Sequence, residues 1–127
     1  MHQITSGCGI EVLSERVLQQ LARDTSRDAL PRLLTVFMGE VKKRVQLIEE
    51  AFGNDDEAEL REQTHALKSC AGTFGGLRLQ ESAKRLEEAA SSGRAMKTPG
   101  LMEDLGKVAE RTLIEYAQYQ IDLENAS

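Results

Sequence analysis

The residues with the clearest capacity for chemistry are His65 and Lys68, three positions apart in the segment His65-Ala66-Leu67-Lys68. A neutral imidazole is a competent nucleophile near neutral pH. In a helix, residues three apart are neighbours on one face, so the Lys68 ammonium can reach a charged group held on the imidazole. A compact positive charge suits the oxygens of a phosphoryl group. The pair is therefore suited to carrying a phosphoryl group on a histidine.

Small residues share the predicted face of His65. At about 100° per residue in an α-helix, Ser69, Gly72 and Gly76 fall on the same side as His65. Glycine inside a helix costs about 1 kcal/mol relative to alanine, and an exposed face has no intrinsic need of it. A face without bulky side chains lets the backbone of another protein approach closely. We therefore expect Ser69, Gly72 and Gly76 to form a docking face, with Arg61, one turn before His65, as a further contact.

The same residues also permit plainer interpretations. Surface histidines and lysines are common without any function, and small residues on a helix often allow a neighbouring helix to pack closely. A helical adaptor that docks a partner without being phosphorylated would explain the small residues equally well. Only the phosphoryl carrier requires both His65 and Lys68.

The cysteines and the second histidine do not complete another kind of site. Cys70 lies roughly 140° around the predicted helix from His65, which prevents a thiolate–imidazole pair, so we expect a partly buried thiol. Cys8 and Cys70 are the only cysteines, too few for a disulfide framework or a zinc site. His2 and His65 are too few histidines for a metal site. We therefore expect neither a thiol enzyme nor a metal enzyme.

The elements that would position His65 are predicted to be helical. Apolar residues recur at three- and four-residue spacing in five segments, without a sustained alternation of period two. The stripes are Ile10, Leu13, Val17 and Leu21; Leu30, Leu34, Phe37, Val41, Val45, Ile48 and Phe52; Leu60, Thr64, Leu67, Ala71 and Phe74; Leu79, Ala83, Leu86 and Ala90; and Leu101, Leu105, Val108, Thr112, Tyr116, Tyr119 and Leu123. His65 lies roughly 140° from the centre of the third stripe and should face solvent.

Turn and capping residues separate these segments. Residues 24–28 offer Asp, Thr and Ser caps for the second helix. Asn54, with Glu57 three residues later, has the spacing of a capping box at the start of the third. Gly75-Gly76 should end the third helix, and Pro99 should open the last. Connections this short usually join antiparallel neighbours.

These elements predict an all-α fold. We expect an up-down-up-down four-helix bundle over about residues 27–124, with a short additional N-terminal helix at about residues 10–23. All 127 residues are assigned to a single domain.

The charge balance excludes some partners. The net charge is −5, from 16 basic and 21 acidic residues, which argues against nucleic acid and suits an anionic membrane poorly. No apolar run approaches the roughly 20 residues that span a bilayer. The first residues lack the cationic and apolar pattern of a signal peptide. We therefore expect a cytoplasmic protein whose partner is another protein or a small molecule.

The segment His65-Ala66-Leu67-Lys68-Ser69-Cys70-Ala71-Gly72-Thr73-Phe74-Gly75 resembles the signature of histidine-containing phosphotransfer (HPt) domains. The family pattern is His-x-Leu-Lys-Gly with a further Gly six residues later. Residues 77–79 and 83–87 resemble the family's next helix, so that the similarity covers roughly residues 27–93. Residues 33–40 and Lys68-Ser69 are most similar to stand-alone quorum-sensing phosphorelay proteins of the LuxU type.

The resemblance implies roles for individual residues. His65 would be the phosphoacceptor, through Nε2, and Lys68 would stabilise the phosphoryl oxygens. Ser69 stands where the family often has Gly, a departure that still leaves the site accessible. The family has no ATP site of its own, and this sequence has no GxxxxGK[ST] loop.

The resemblance also implies partners. They would be the receiver domains of a hybrid sensor kinase and of a response regulator, with Mg²⁺ held by the receiver and no cofactor on this chain. We expect a reversible phosphoryl carrier, not an independent enzyme, and a monomer, because a carrier meets its two partners in turn.

Overall fold

The computed structural model describes residues 9–126 and folds them into α-helices. The helices are α1 (Glu15–Asp24), α2 (Leu30–Gly53), α3 (Glu57–Phe74), α4 (Leu77–Ser91) and α5 (Pro99–Asn125), with a 3₁₀ turn at Ala95–Lys97. Between residues 9 and 126 there is no β-strand. The predicted all-α class is confirmed.

Helices α2 to α5 form a four-helix bundle in which consecutive helices are neighbours. Helix α3 packs against α2 and α4, and α5 packs against the same two helices. The Gln120 side chain near the end of α5 donates to the Pro31 carbonyl at the start of α2, at 2.7 Å, so these two helices run antiparallel. The short helix α1 packs against α3. The predicted up-down-up-down bundle with an additional N-terminal helix is confirmed.

The predicted apolar stripes line the interior of this bundle. On α3, Leu60, Thr64, Leu67 and Ala71 have no exposed surface. The buried members on the other bundle helices are Leu30, Leu34, Phe37, Val41 and Ile48; Leu79, Ala83, Leu86 and Ala90; and Leu105, Thr112 and Tyr116. Thr64 and Thr112 are tolerated there because each hydroxyl donates to a backbone carbonyl of its own helix.

Two predicted helix starts differ from the structure. Asn54 is the C-cap residue of α2. The N-cap residue of α3 is Asp56, whose side chain accepts a hydrogen bond from the Glu59 amide at 3.1 Å. The predicted capping box at Asn54 and Glu57 is therefore wrong by two residues. Helix α2 begins at Leu30 without a side-chain cap, because the Ser26 hydroxyl instead binds the Ala29 amide in the turn before it.

The end of α3 is fixed by a cluster of aromatic residues and a tight turn. Phe37 lies 4.9 Å from Phe74 and 4.7 Å from Tyr116 between ring centroids; these three residues form the aromatic junction. The Tyr116 hydroxyl donates to the Phe74 carbonyl at 2.7 Å. Gly75 then adopts a left-handed φ of 82°, which ends the helix as predicted.

The N-terminal segment is tied to this turn by three hydrogen bonds, which form the N-terminal clip. The Ser14 amide donates to the Gly75 carbonyl at 2.8 Å, and the Arg78 amide donates to the Glu11 carbonyl at 2.9 Å. The Arg78 Nε atom also donates to the Ile10 carbonyl at 2.9 Å. Residues 10–14 are not helical, so helix α1 begins at Glu15, capped by Ser14, and not at about residue 10 as predicted.

Between residues 9 and 126, no helix combines the length and the hydropathy that a membrane span needs.

Candidate functional site

His65 lies in the middle of α3 and faces solvent. Its side chain is 62% exposed, whereas Leu67, two residues on, is fully buried. A helix that buries Leu60, Leu67 and Ala71 must turn position 65 outward, since the two faces are set by the helical repeat. The predicted exposure of the imidazole is confirmed.

The imidazole and the ammonium meet at a carboxylate that sequence reasoning missed. Glu87 of α4 places Oε2 at 2.8 Å from Nδ1 of His65 and Oε1 at 2.6 Å from Nζ of Lys68. Its side chain is only 17% exposed. His65, Lys68 and Glu87 together are called the His65 edge below. Because the antiparallel packing of α3 on α4 brings residues 65 and 87 together, only the register of the two helices reveals this contact.

The electrostatics of Glu87 set the proton position on the imidazole. Burial raises the pKa of Glu87, but the hydrogen bonds from Lys68 and His65 outweigh burial, and the pKa of the carboxyl is lowered overall. Glu87 is therefore a carboxylate at neutral pH, with oxygens that only accept hydrogen bonds. Nδ1 of His65 must then carry the proton, and the lone pair of a neutral ring lies on Nε2. The geometry favours Nε2 as the nucleophile.

Lys68 lies at the interface of α3 and α4 with 29% of its side chain exposed. Its ammonium is one turn from His65, as the spacing predicts, and it is engaged by Glu87. Lys68 and Glu87 together form a neutral pair beside the ring.

Two of the predicted docking residues lie on the exposed side of α3. Arg61 and Ser69, one turn before and one turn after His65, are both exposed. They flank the imidazole along one exposed strip of the helix.

The two predicted docking glycines are covered by neighbouring residues, although Gly72 does lie on the His65 side of α3. A Cβ atom at Gly72 would overlap the Nε2 atom of Gln80 of α4, so Gly72 admits a neighbouring side chain and is not a bare patch. Gly76 is buried against Phe37, Tyr116 and Ala71. Its predicted place beside His65 is wrong, because α3 ends at Phe74 and the helical repeat does not continue through the turn.

Among residues 9–126, the remaining candidate for chemistry is Cys70. Burial, followed by the nearby Glu40 carboxylate, raises the pKa of the Cys70 thiol, although Arg44 opposes the shift. The predicted partly buried thiol is thus confirmed. His2 and Cys8 lie outside the described residues. Over residues 9–126, no group of three or more potential metal ligands occurs.

Comparisons with known proteins agree with this geometry. The family model described as Hpt domain matches residues 32–125. The phosphorelay protein LuxU of Vibrio harveyi is 32% identical over 84 residues, which are 66% of this chain and 74% of that protein. LuxU of Vibrio cholerae is 31% identical over 86 residues, 68% of this chain and 76% of that protein.

A solved structure supports the same relationship. The crystal structure of histidine-containing phosphotransfer protein B (HptB) from Pseudomonas aeruginosa PAO1 matches with a TM-score of 0.82 and 27% sequence identity. The match covers 87% of this chain and 96% of that chain. The resemblance noted in the sequence is therefore confirmed over most of the bundle.

Proposed function

This chain belongs to the Hpt domain family and is a histidine phosphotransfer protein of a phosphorelay, and on that premise we propose that His65 carries the phosphoryl group on Nε2. The observation that supports this assignment is the 2.8 Å contact between Nδ1 and Glu87. It holds the ring in one orientation and leaves Nε2 as the nitrogen available for reaction on a side chain that is 62% exposed.

The transfer step is an in-line displacement at phosphorus. The Nε2 lone pair of His65 attacks the phosphorus of an aspartyl phosphate in a receiver domain. The N–P bond forms while the bond from phosphorus to the aspartate oxygen breaks, and the bonding electrons leave with that carboxylate. The proton on Nδ1 stays in place, so the phosphorylated ring gains a positive charge that the adjacent Glu87 carboxylate stabilises. The reverse step delivers the group to a second receiver.

Lys68 stabilises the phosphoryl oxygens in this proposal. Its ammonium lies beside the ring, and its contact with Glu87 keeps it there before the partner arrives. A charge that is already positioned needs little reorganisation during transfer. Lys68→Ala should therefore slow transfer while the bundle stays folded.

The partners in this proposal are the receiver domains of a hybrid sensor kinase and of a response regulator. The receiver supplies the aspartate and Mg²⁺, and this chain, acting as a monomer in the cytoplasm, supplies a rigid imidazole without an ATP site or cofactor of its own. Docking uses the exposed strip of α3 that carries Arg61, His65 and Ser69. Gly72 contributes indirectly, because its lack of a side chain lets the Gln80 side chain lie against α3.

The test is phosphoryl transfer from a labelled, phosphorylated receiver domain to the purified chain. Wild-type protein should take up label that is labile in acid and stable in base, the behaviour of phosphohistidine. His65→Gln should take up none while retaining the helical circular dichroism of the wild type. His2→Gln removes the other histidine of the chain and serves as the matched control, which should label normally.

The same experiment separates the carrier from a non-catalytic adaptor. An adaptor would bind the receiver with unchanged affinity but would take up no label, in wild type as in His65→Gln. Label that persists in His65→Gln would place the acceptor elsewhere and would overturn the assignment of His65.

A further inference from the structure

The edge of α4 that faces His65 carries a further charged residue, Lys84. Gln80, Lys84 and Glu87 are spaced by four and three residues, so they lie along one side of α4. The outer two contact α3, since Gln80 lies over Gly72 and Glu87 binds His65 and Lys68. Lys84 must therefore lie along the same edge, level with the stretch of α3 between Lys68 and Gly72.

Lys84 differs from the other basic residues of α4 in having no partner. Arg78 donates to the Ile10 carbonyl, and Arg85 pairs with Glu81 at 3.5 Å. Lys84 is exposed, and within residues 9–126 it makes no hydrogen bond or ion pair. It is the cation of α4 whose ammonium is free to meet an incoming anion.

The charge count at the His65 edge shows why a second cation is needed. Lys68 and Glu87 cancel each other's charge at 2.6 Å, and a phosphoryl group brings roughly two negative charges at neutral pH. The positive charge of the phosphorylated ring, which Glu87 stabilises, offsets only one of the two. Lys68 alone therefore does not neutralise the charge on the phosphoryl oxygens. The nearest unpaired positive charge along α4 is that of Lys84, one turn from Glu87.

We propose that Lys84 is a second phosphoryl-binding cation, which contacts the oxygens of the group carried by His65 from the α4 side while Lys68 remains engaged with Glu87. This inference rests on the proposed function of His65 and adds a binding residue to it. The two lysines would approach the phosphoryl group from α3 and α4, so that both helices hold it.

The experiment must separate contact with the phosphoryl group from contact with the receiver. Phosphoramidate, a small phosphodonor, can load His65 in the absence of any receiver domain. Lys84→Gln should lower the rate of loading about threefold to tenfold, the effect of losing one hydrogen bond of typical net strength on an exposed side chain. Lys84→Arg should restore most of that rate, because it keeps the charge on the same edge.

Arg85→Gln is the matched control, since it removes a positive charge from the next position of the same helix, about 100° around the axis. It should load like wild type. Equal loading of Lys84→Gln and wild type would overturn the inference, even if transfer from a receiver were slowed, because Lys84 would then contact only the partner protein. If the wild-type chain takes no phosphoryl group on His65, the proposed function fails and this inference fails with it.

Discussion

Helix α3 carries a charged network at its middle and an aromatic cluster at its end, and the two differ in nearly every physical respect. At the His65 edge, the Glu87 carboxylate lies 2.8 Å from the imidazole of His65 and 2.6 Å from the ammonium of Lys68. The His65 side chain is 62% exposed. At the aromatic junction, Phe37 and Tyr116 have no exposed surface, and burial raises the pKa of the Tyr116 phenol. One region is suited to chemistry, and the other holds the helix in place.

This contrast implies a division between stability and transfer. Substitutions at the junction should lower the free energy of unfolding and leave the intrinsic reactivity of folded molecules unchanged. Substitutions at the His65 edge should change the reactivity of His65 and leave the free energy of unfolding nearly unchanged. Single substitutions in each region, and elsewhere along α3, test this division.

The largest effect is expected for Tyr116→Ala. The change removes a fully buried ring and the hydrogen bond to the Phe74 carbonyl, which should lower the free energy of unfolding by about 3–5 kcal/mol. Urea denaturation measures it. Receiver-free loading of His65 should remain close to wild type at temperatures where the variant is folded. A loading rate that falls with stability would show that the junction sets the geometry of His65.

Leu67→Ala tests the same helix two residues from the imidazole. Leu67 is fully buried, so the truncation should cost about 2–5 kcal/mol. Urea denaturation should show this loss. Met at the same position is the conservative control and should cost less than about 1.5 kcal/mol. A cost near zero for Ala would contradict the packing of α3 described above.

Gly75→Ala should have a smaller effect, which comes from the turn. The residue has φ of 82°, and a Cβ atom there would lie 3.0 Å from the Ser14 carbonyl oxygen and from Cβ of Val17. A left-handed conformation costs an L-residue about 1–2 kcal/mol, and the crowding adds to it. Thermal unfolding should show the loss. Gly39→Ala, at a helical glycine with open space around its Cβ position, should be neutral or stabilising.

The smallest effect on stability is expected for Glu87→Gln. Because the pKa of Glu87 is lowered in the folded state, its contribution is present above the ordinary glutamate pKa of about 4.3 and disappears as the pH falls through the folded value. At pH 7 the variant should lose about 0.2–1 kcal/mol. The difference from wild type should vanish at low pH, as measured by urea denaturation across pH.

The same variant should nevertheless change transfer. An amide at position 87 no longer requires the proton of His65 to lie on Nδ1, and it cannot compensate the charge of the phosphorylated ring. Loading of Glu87→Gln should therefore be slower than wild type. An unchanged rate would show that Glu87 does not contribute to the reactivity of His65.

The architecture was predictable because helical periodicity is a local property of the sequence. The stripe through Leu60, Leu67 and Ala71 fixes which side of α3 is buried, and the exposure of His65 follows from it. The helix ends were harder to predict. Asn54 and Asp56 are both good N-cap residues, and which of them caps α3 depends on the residue at which α2 ends. Gly76 was misplaced because the left-handed Gly75 turns the chain before it.

Glu87 could not be found from the sequence in the same way. Its helical position, 40° from the buried Ala83, marks it as lying at the border of the core stripe. Its role, however, depends on the register between α3 and α4, which periodicity within each helix does not contain. The same reason hid the contact of Gln80 with Gly72.

Hydrogen exchange at the N-terminal clip reports how often residues 10–14 detach from the turn after α3. The amides of Ser14 and Arg78 donate to carbonyls of residues far away in the chain, so their hydrogen exchange does not require any helix to fray. Their protection therefore measures the free energy needed to detach residues 10–14 from the turn after α3. Comparing that protection before and after a phosphoryl group is loaded would show whether the charge on His65 is sensed at the far end of its own helix.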